Sequence, residues 1–462
     1  MDAHHSNITG EQRLKSPGLI HKLLKIFTDI KPGEALTSFL LMFNIFLLLT
    51  AYYIIKPVRE ALIIGEWSPE VKSYLGAASA VLLIFVVKAF SRIASLVPRQ
   101  ILITYVTLFF ISNLVLFYIL SVSGLSSKAM GIIFFLWMGV FNVMVIAQFW
   151  AFANDVYTLE EGKRLFPLIA FGATFGGYMG SKISGWIVGP MGVYQMMLVA
   201  GAFLLVCILL TFIIHKREIE RKKLLRETHR AETEQKPLEK GGGFKLIFQK
   251  KYLLYIAVFV LLLNFVNTNG EWVLSRVANL FAANALSSGT ASGLTENQLI
   301  VQFYAGFNSV MSIVSMVVQL FLVSRIFKWF GIRFAIFVLP LISLGGYSLI
   351  GLGAALSVVK YVKATENGTD YSLMNTTRHA LFLITSREEK YKAKAAIDTF
   401  FHRAGDFLSG ALVLIGTTYF ALNIQKAAVF NIFVVILWIF IGVLIAREHK
   451  KLTAQKSAAA VD

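Results

Sequence analysis

Apolar residues in this chain neither alternate, as on a half-buried strand, nor keep to one stripe of an amphipathic helix; they come in near-continuous blocks. About twelve blocks reach the roughly 20 residues that a helix needs to cross the hydrocarbon core of a bilayer. The first six cover Ala35 to Ile63, Val71 to Phe90, Ile101 to Val122, Ala129 to Val156, Leu165 to Val188 and Val193 to Ile214. The second six cover Tyr252 to Ala278, Leu299 to Phe327, Ile332 to Leu352, Leu356 to Ile384, Ala395 to Ile415 and Ala427 to Ile445. The expected fold class is all-α integral membrane, with about twelve transmembrane helices.

The polar positions between blocks are unevenly charged. Lys and Arg gather in every second connection: the N-terminal tail, Lys88/Arg92/Arg99, Lys163/Arg164, the 216–251 stretch, Arg325/Lys328/Arg333, Arg387/Lys390/Lys392 and the tail after Arg447. The other connections, such as SSGTASGLTENQ, are nearly free of them. The positive-inside rule therefore predicts both termini in the cytoplasm, with a bacterial inner membrane as the expected location. The start, MDAHHSNITGEQRLKSP, is polar and lacks the basic end and apolar core of a cleavable signal, so the first membrane helix is expected to do the targeting.

One long hydrophilic stretch, KREIERKKLLRETHRAETEQKPLEKGGGFKLIFQKK, divides six blocks from six. The two sets echo each other: FSRIASLVPR resembles VSRIFKWFGIR, and EEGKRLFPLIAFGATFGGYMGSKISG resembles EEKYKAKAAIDTFFHRAGDFLSG. Two repeated six-helix bundles make a major-facilitator-like plan, in which a solute site lies between halves that rock against each other. The predicted division is a cytoplasmic tail 1–34, a bundle 35–215, a cytoplasmic linker 216–251, a bundle 252–446 and a cytoplasmic tail 447–462.

Composition sharpens this picture. A chain of 462 residues that is 56% hydrophobic, with a mean hydropathy of +0.68, is too apolar for an ordinary soluble protein. The net charge of +18 would fit nucleic-acid binding, but the excess sits in the connections, where topology accounts for it. The expected partners are the lipid bilayer and an anionic small molecule, with no nucleic acid, and the chain is expected to be a monomer. A lone cysteine, Cys207 in LLVCILL, excludes an intramolecular disulfide. There is no GK[ST], HExxH or CxxC motif, and FGATFGGYMGSKISG reads as small-residue helix packing rather than a phosphate loop. Neither an enzyme, a metal nor a cofactor is expected.

Charges inside membrane spans are costly, about 2.5–3.5 kcal/mol each at the centre, so each marks a candidate site. YYIIKPVREALII, ending the first span, holds Lys56, Arg59 and Glu60. Lys56 and Glu60 are one helical turn apart and can pair, which would leave Arg59 free for an anion; the alternative is snorkelling to headgroups. FVNTNGEWVLSR in the seventh span sets Glu271 beside Asn267, Asn269 and Gly270, a polar patch of the kind that transporters unwind around substrate. The tenth span carries Lys360, Lys363, Glu366, Asp370 and Arg378 and is expected to line an aqueous cavity. Arg378 and Lys394 would then face Lys56 and Arg59 across it, a set of opposed cations suited to phosphate. In EEKYKAKAAIDTFFHRAGDFLSG, Lys394, Asp398, His402 and Asp406 recur every fourth residue and form a polar stripe. The last three read either as a proton relay or, more in keeping with the pairing of buried charge, as ion pairs with Arg403 and Lys394. Asp155, Lys163 and Arg164 read as a cytoplasmic gate or as interfacial charges.

Three of these segments, FWAFANDVYTLEEGKRLFPLIAFGA, YYIIKPVREAL and YKAKAAID, resemble the ATP/ADP translocase family, the nucleotide transporters of plastids and intracellular bacteria, and the likeness runs from about Lys31 to the last span. The resemblance implies a major-facilitator-like fold and exchange of ATP against ADP without hydrolysis. It also implies transport roles at three positions, matched here by Arg59, Glu271 and Lys394. Two departures stand out: Arg59 replaces the family's Lys, and LWMGVFNVMVIAQFW lacks the family's acid early in the fourth span. The function expected is secondary transport of a nucleotide or related organophosphate by alternating access. The alternatives are a proton-coupled importer of a phosphorylated metabolite or nucleoside, working through His402 and Glu271, and a non-transporting membrane component on the same fold.

Overall fold

The computed structural model describes residues 30–31, 34–94, 99–124, 126–157, 159–226, 243–386 and 389–458. The side chains of Lys88, Arg92, Arg99, Lys163, Arg387 and Lys390, most of the N-terminal tail and residues 227–242 of the polar stretch lie outside the described residues. Twelve long helical rods run through the rest. In the first bundle they are α1 (Ala35–Ile64), α2 (Pro69–Ala94), α3 (Arg99–Val122), α4 (Ser127–Val156), α5 (Leu159–Met191) and α6 (Gln195–Arg226). A short helix, Gly243–Gln249, precedes the second bundle. That bundle holds α7 (Lys251–Ser287), α8 (Glu296–Trp329), α9 (Ile332–Gly351), α10, α11 and α12 (Ile424–Ala458). α10 runs through Leu356–Thr369, a π turn Asp370–Met374 and Asn375–Leu381. α11 alternates in the same way: a π turn Glu389–Ala393, Lys394–Ala396, a second π turn Ile397–Phe401 and His402–Tyr419.

Among the described residues eight rods are long and apolar enough to cross a membrane. Of the other four, α5, α10 and α11 are diluted by polar residues, and position explains it; α2 carries the apolar run AVLLIFVV, part of whose side chains lies outside the described residues. α2 packs on α11 and α5 on α8 across the boundary between bundles, while α10 contributes to the cavity described below. Helices that meet their neighbours through polar contacts need less apolar surface than helices that face lipid.

Within the first bundle, α1 and α5 make the closest contact. Gly172, Gly176 and Gly180 are spaced by four residues along α5 and lie against the carbonyls of Met42, Phe46 and Thr50, also spaced by four along α1. A Cβ at any of the three would meet backbone, so FGATFGGYMG is a packing ladder of the small-residue kind.

Three local expectations need correction. The FVNTNG patch does not unwind: Lys251–Ser287 is one unbroken α-helix, and Glu271 sits well inside it. Gly270 has a different use, since the space a Cβ would take is held by the Tyr347 hydroxyl and the Lys363 ammonium. The polar stretch after the sixth span is not all connection, because α6 continues to Arg226. At the C-terminal end α12 continues to Ala458, where Glu448 and Lys451 pair at 2.8 Å on the exposed turn.

Candidate functional site

A cavity of ≈ 310 Å³ opens between the bundles. Five helices line it, most of them with one face. α1 supplies Leu49, Tyr52, Tyr53 and Lys56, the i, i+3, i+4, i+7 spacing of one helical stripe. α4 adds Asn142 and Ile146, α5 adds Thr174 and Gly177, α8 adds Ser312 and Ser315, and the π turn of α10 adds Tyr371. Lys56 lies over the Tyr53 ring, its ammonium 5.0 Å from the centroid, and among the described residues it has no carboxylate within ion-pair distance. It is a cation held by an aromatic face and left available to a ligand.

One turn beyond the cavity the charges interlock. Glu60 pairs with its neighbour Arg59, whose Nε donates to Oε1 at 3.0 Å, and with Lys72 of α2 at 2.8 Å. This reverses the expected pairing, because Glu60 is turned toward α2 and away from Lys56. The Lys72 ammonium also reaches across to the second bundle, where it meets Ser275 Oγ at 2.9 Å, the Tyr304 hydroxyl at 3.4 Å and the Glu271 carboxylate at 3.6 Å. Glu271 accepts in turn from Asn367 Nδ2 at 2.8 Å, and Lys363 and Lys56 act on it electrostatically. Further outward, Glu70 of α2 binds Arg276 at 2.7 Å and the Trp272 indole at 3.0 Å. Asn297 of α8 donates to Glu66 at 2.9 Å, and Gln298 to the Val188 carbonyl at 2.9 Å. The bundles are thus tied together at the end where α1 turns into α2. At the opposite end Arg164 grips Glu34 with two nitrogens, at 2.9 and 3.2 Å, and Lys250 pairs with Glu389, both within a single bundle.

The remaining candidates divide. Asn267 stays half-buried on α7 with its Oδ1 lacking a protein partner. Asn269 is withdrawn: fully buried, its amide donates to Asn431 of α12 at 2.7 Å, so it holds two helices of one bundle together and is not a ligand group. Arg378 bonds Asn375 at 3.3 Å and keeps a buried Nε without a protein partner. Lys394 is half-buried between the two π turns of α11. Each π turn holds more residues per turn than the 3.6 of an α-helix, which limits the drift of a stripe spaced by four. Asp406 accepts from Asn264 and Thr268 of α7, both at 2.7 Å, and pairs with Arg403 at 3.3 Å. The ion-pair reading therefore fits Asp406 through Arg403 and not through Lys394. Asp398 is exposed without an ion-pair partner among the described residues, and His402 gives its carbonyl to Asn264 at 2.6 Å. Asp155 is exposed at the end of α4, and the side chain of Lys163 lies outside the described residues.

The TLC ATP/ADP transporter family matches residues 126–449, more than half of the chain. The chain belongs to the TLC ATP/ADP transporter family. It is a multi-pass membrane transporter and not an enzyme. Its similarity to individual relatives is low. It is 24% identical to ADP,ATP carrier protein 5 of Rickettsia conorii over 361 residues, 69% of this chain and 68% of that one. It is 23% identical to ADP,ATP carrier protein 2 of Chlamydia pneumoniae over 358 residues, 67% of this chain and 64% of that one. Solved structures share the major-facilitator-like fold: the nucleoside transporter NupG, with a TM-score of 0.62 at 13% identity, covers 90% of this chain and 99% of that one. A bacterial homologue of the human lysosomal transporter Spinster, inward-facing and unoccupied, gives a TM-score of 0.60 at 12% identity over 92% of this chain and 99% of that one.

Three residues of the charge network beside the cavity escape a reading of the sequence. Lys72 and Glu70 stand in WSPEVKSYLG at the very start of the second block, where a charge reads as snorkelling; Arg276 closes the stretch that holds Glu271. The signal that could have found them is charge balance, since Glu60 and Glu271 are acids in a span and each needs a cation. Lys363 and Glu366 were expected at the cavity but pair with each other at 2.6 Å, completely buried among Ser343, Tyr347 and α7.

Proposed function

We propose that this transporter exchanges nucleotides, ATP against ADP in type, across a bacterial inner membrane, as a monomer with both termini in the cytoplasm. The observation that carries the proposal is the unpaired Lys56 ammonium in a cavity walled by Tyr52, Tyr53 and Tyr371. A cation suits phosphate, and tyrosine rings suit the flat face of a base. With the termini inside, the end that is tied together faces outward, so the conformation is the inward-open half of an alternating-access cycle. The names of the Rickettsia and Chlamydia relatives point to the same substrates. In this reading Lys56, Arg59, Asn267, Glu271, Arg378 and Lys394 contact substrate during the cycle. Asp155, Lys163, Arg164, Asp398 and His402 act in closing the cytoplasmic end.

The test is uptake of labelled ATP into proteoliposomes of the purified protein, with and without ADP inside. Uptake that depends on internal ADP is the expected result and makes ATP a bound substrate. Absence of ATP uptake in both conditions overturns the nucleotide assignment, and uptake driven by a pH gradient without internal ADP replaces exchange by proton coupling.

A further inference from the structure

Of the ion pairs between described residues, two cross from one bundle to the other: Arg276–Glu70 and Lys72–Glu271. The first lies outward and is partly exposed. The second lies one turn from the cavity, because Glu60, which shares Lys72 with Glu271, follows Lys56 of the cavity wall by four residues on α1. The contacts of Lys72 are unequal. Its pair with Glu60, inside its own bundle, is 2.8 Å long, whereas its pair with Glu271 in the other bundle is 3.6 Å. The tighter contact fixes Lys72 to the first bundle and leaves the cross-bundle contact as the one that can break.

Charge counting shows what would break it. Lys56, Arg59, Lys72 and Lys363 face Glu60, Glu271 and Glu366, four cations against three carboxylates, so the protein's own groups leave one positive charge in excess. A phosphate-bearing solute brings more than one negative charge. Beside Lys56 it repels Glu271 and competes with it for the lysines, and in a site withdrawn from bulk water these interactions are strong. Without the solute, Lys72 and Glu271 hold the outer ends shut.

We infer that Lys72 is the positioning residue that makes outward opening depend on a bound anion. The empty protein then stays closed to the outside, and movement of one anion requires another for the return. This rests on the transport reading above for the identity of the anion, but the lock itself does not depend on which anion it is. A ligand shifts a two-state equilibrium only through its differential effect on the two states, and the Lys72–Glu271 pair supplies that difference because it exists in one state alone.

The test reads the lock directly. Cys207 is buried and is the lone cysteine, so Cys207→Ser gives a silent background. Ala305→Cys then places a reporter on α8 at a position 3% exposed, against Gly185 of α5. Labelling by a membrane-impermeant maleimide from the outside follows separation of the outer ends. In K72Q, Glu60 keeps Arg59, and outside labelling of the empty protein is expected to rise by about tenfold, within the span typical of coupled sites. K72R is expected to restore slow labelling. In proteoliposomes the same K72Q change should raise ATP uptake without internal ADP relative to uptake with it. If labelling of K72Q stays at the original rate, or if both uptakes fall in parallel, Lys72 is only a packing element and the inference is overturned. Should K72Q fail to reach the membrane, Glu271→Gln reads the same pair from the other bundle by outside labelling alone, where a rise is expected and an unchanged rate overturns the inference. Failure of ATP uptake in the unaltered protein would remove the nucleotide assignment and leave the labelling result standing.

Discussion

Two buried lysines, one in each bundle, look alike in the sequence and differ in the fold. Lys363 is fully buried and pairs at 2.6 Å with Glu366 three residues on, inside a shell of Ser343 and Tyr347. Lys72 is nearly as buried, but its acids come from two bundles, Glu60 from its own and Glu271 from the other. The first pair lies wholly within one bundle and helps to hold it together. The second spans the boundary between the bundles. Burial and charge alone therefore do not mark a working residue in a membrane; what marks it is whether its partners travel with it.

The comparison can be broken most severely at Lys363. K363M strands the Glu366 carboxylate in the interior, at a cost of about 3–5 kcal/mol. A thermal-shift measurement in detergent should show the protein largely lost, with K363M/E366Q recovering most of it. A single variant as stable as the parent would mean that the pair is not structural. Lys56 should behave in the opposite way. Because it has no carboxylate to strand, K56A is expected to melt like the parent while ATP binding weakens by about 1.5–3 kcal/mol, roughly 10- to 150-fold. Equal losses of stability and binding would place Lys56 with Lys363. Next comes Gly270→Ala, which drives a methyl into Tyr347 and Lys363 and should destabilise by about 1–3 kcal/mol, read from the same melts. The smallest effect is expected at Asn269→Ala, where loss of the bond to Asn431 costs about 1 kcal/mol and leaves exchange per folded molecule unchanged. A drop in exchange there would return Asn269 to the cavity.

Much of the architecture is legible in the chain. The run of twelve apolar blocks gives the rods, and FGATFGGYMG gives the close contact of α5 on α1. Lys56 and Glu271 are legible as candidate site residues because an unexplained charge in a span is rare. Their partners are not. The helical spacing of Lys56 and Glu60 allows a pair that the fold does not make, since α2 brings Lys72 to the other side of Glu60. The polar run NFVNTNG reads as a weak point in a helix, yet all but one of its polar positions have a neighbour: Asn264 and Thr268 bind Asp406, Asn269 binds Asn431, and Gly270 admits Lys363, while Asn267 keeps an Oδ1 without a protein partner.

The sequence by itself determined that this protein crosses a membrane as many helices in two similar halves, because the cost of an unsatisfied backbone in hydrocarbon leaves a long apolar block no other form. It also determined which charges lie within the spans. Only the tertiary structure decided which of them are free, which are locked within a bundle and which bridge two, because an ion pair is a matter of a few ångströms between helices far apart in the chain. Glu60 and Glu271 are separated by more than 200 residues, and Lys72 meets both.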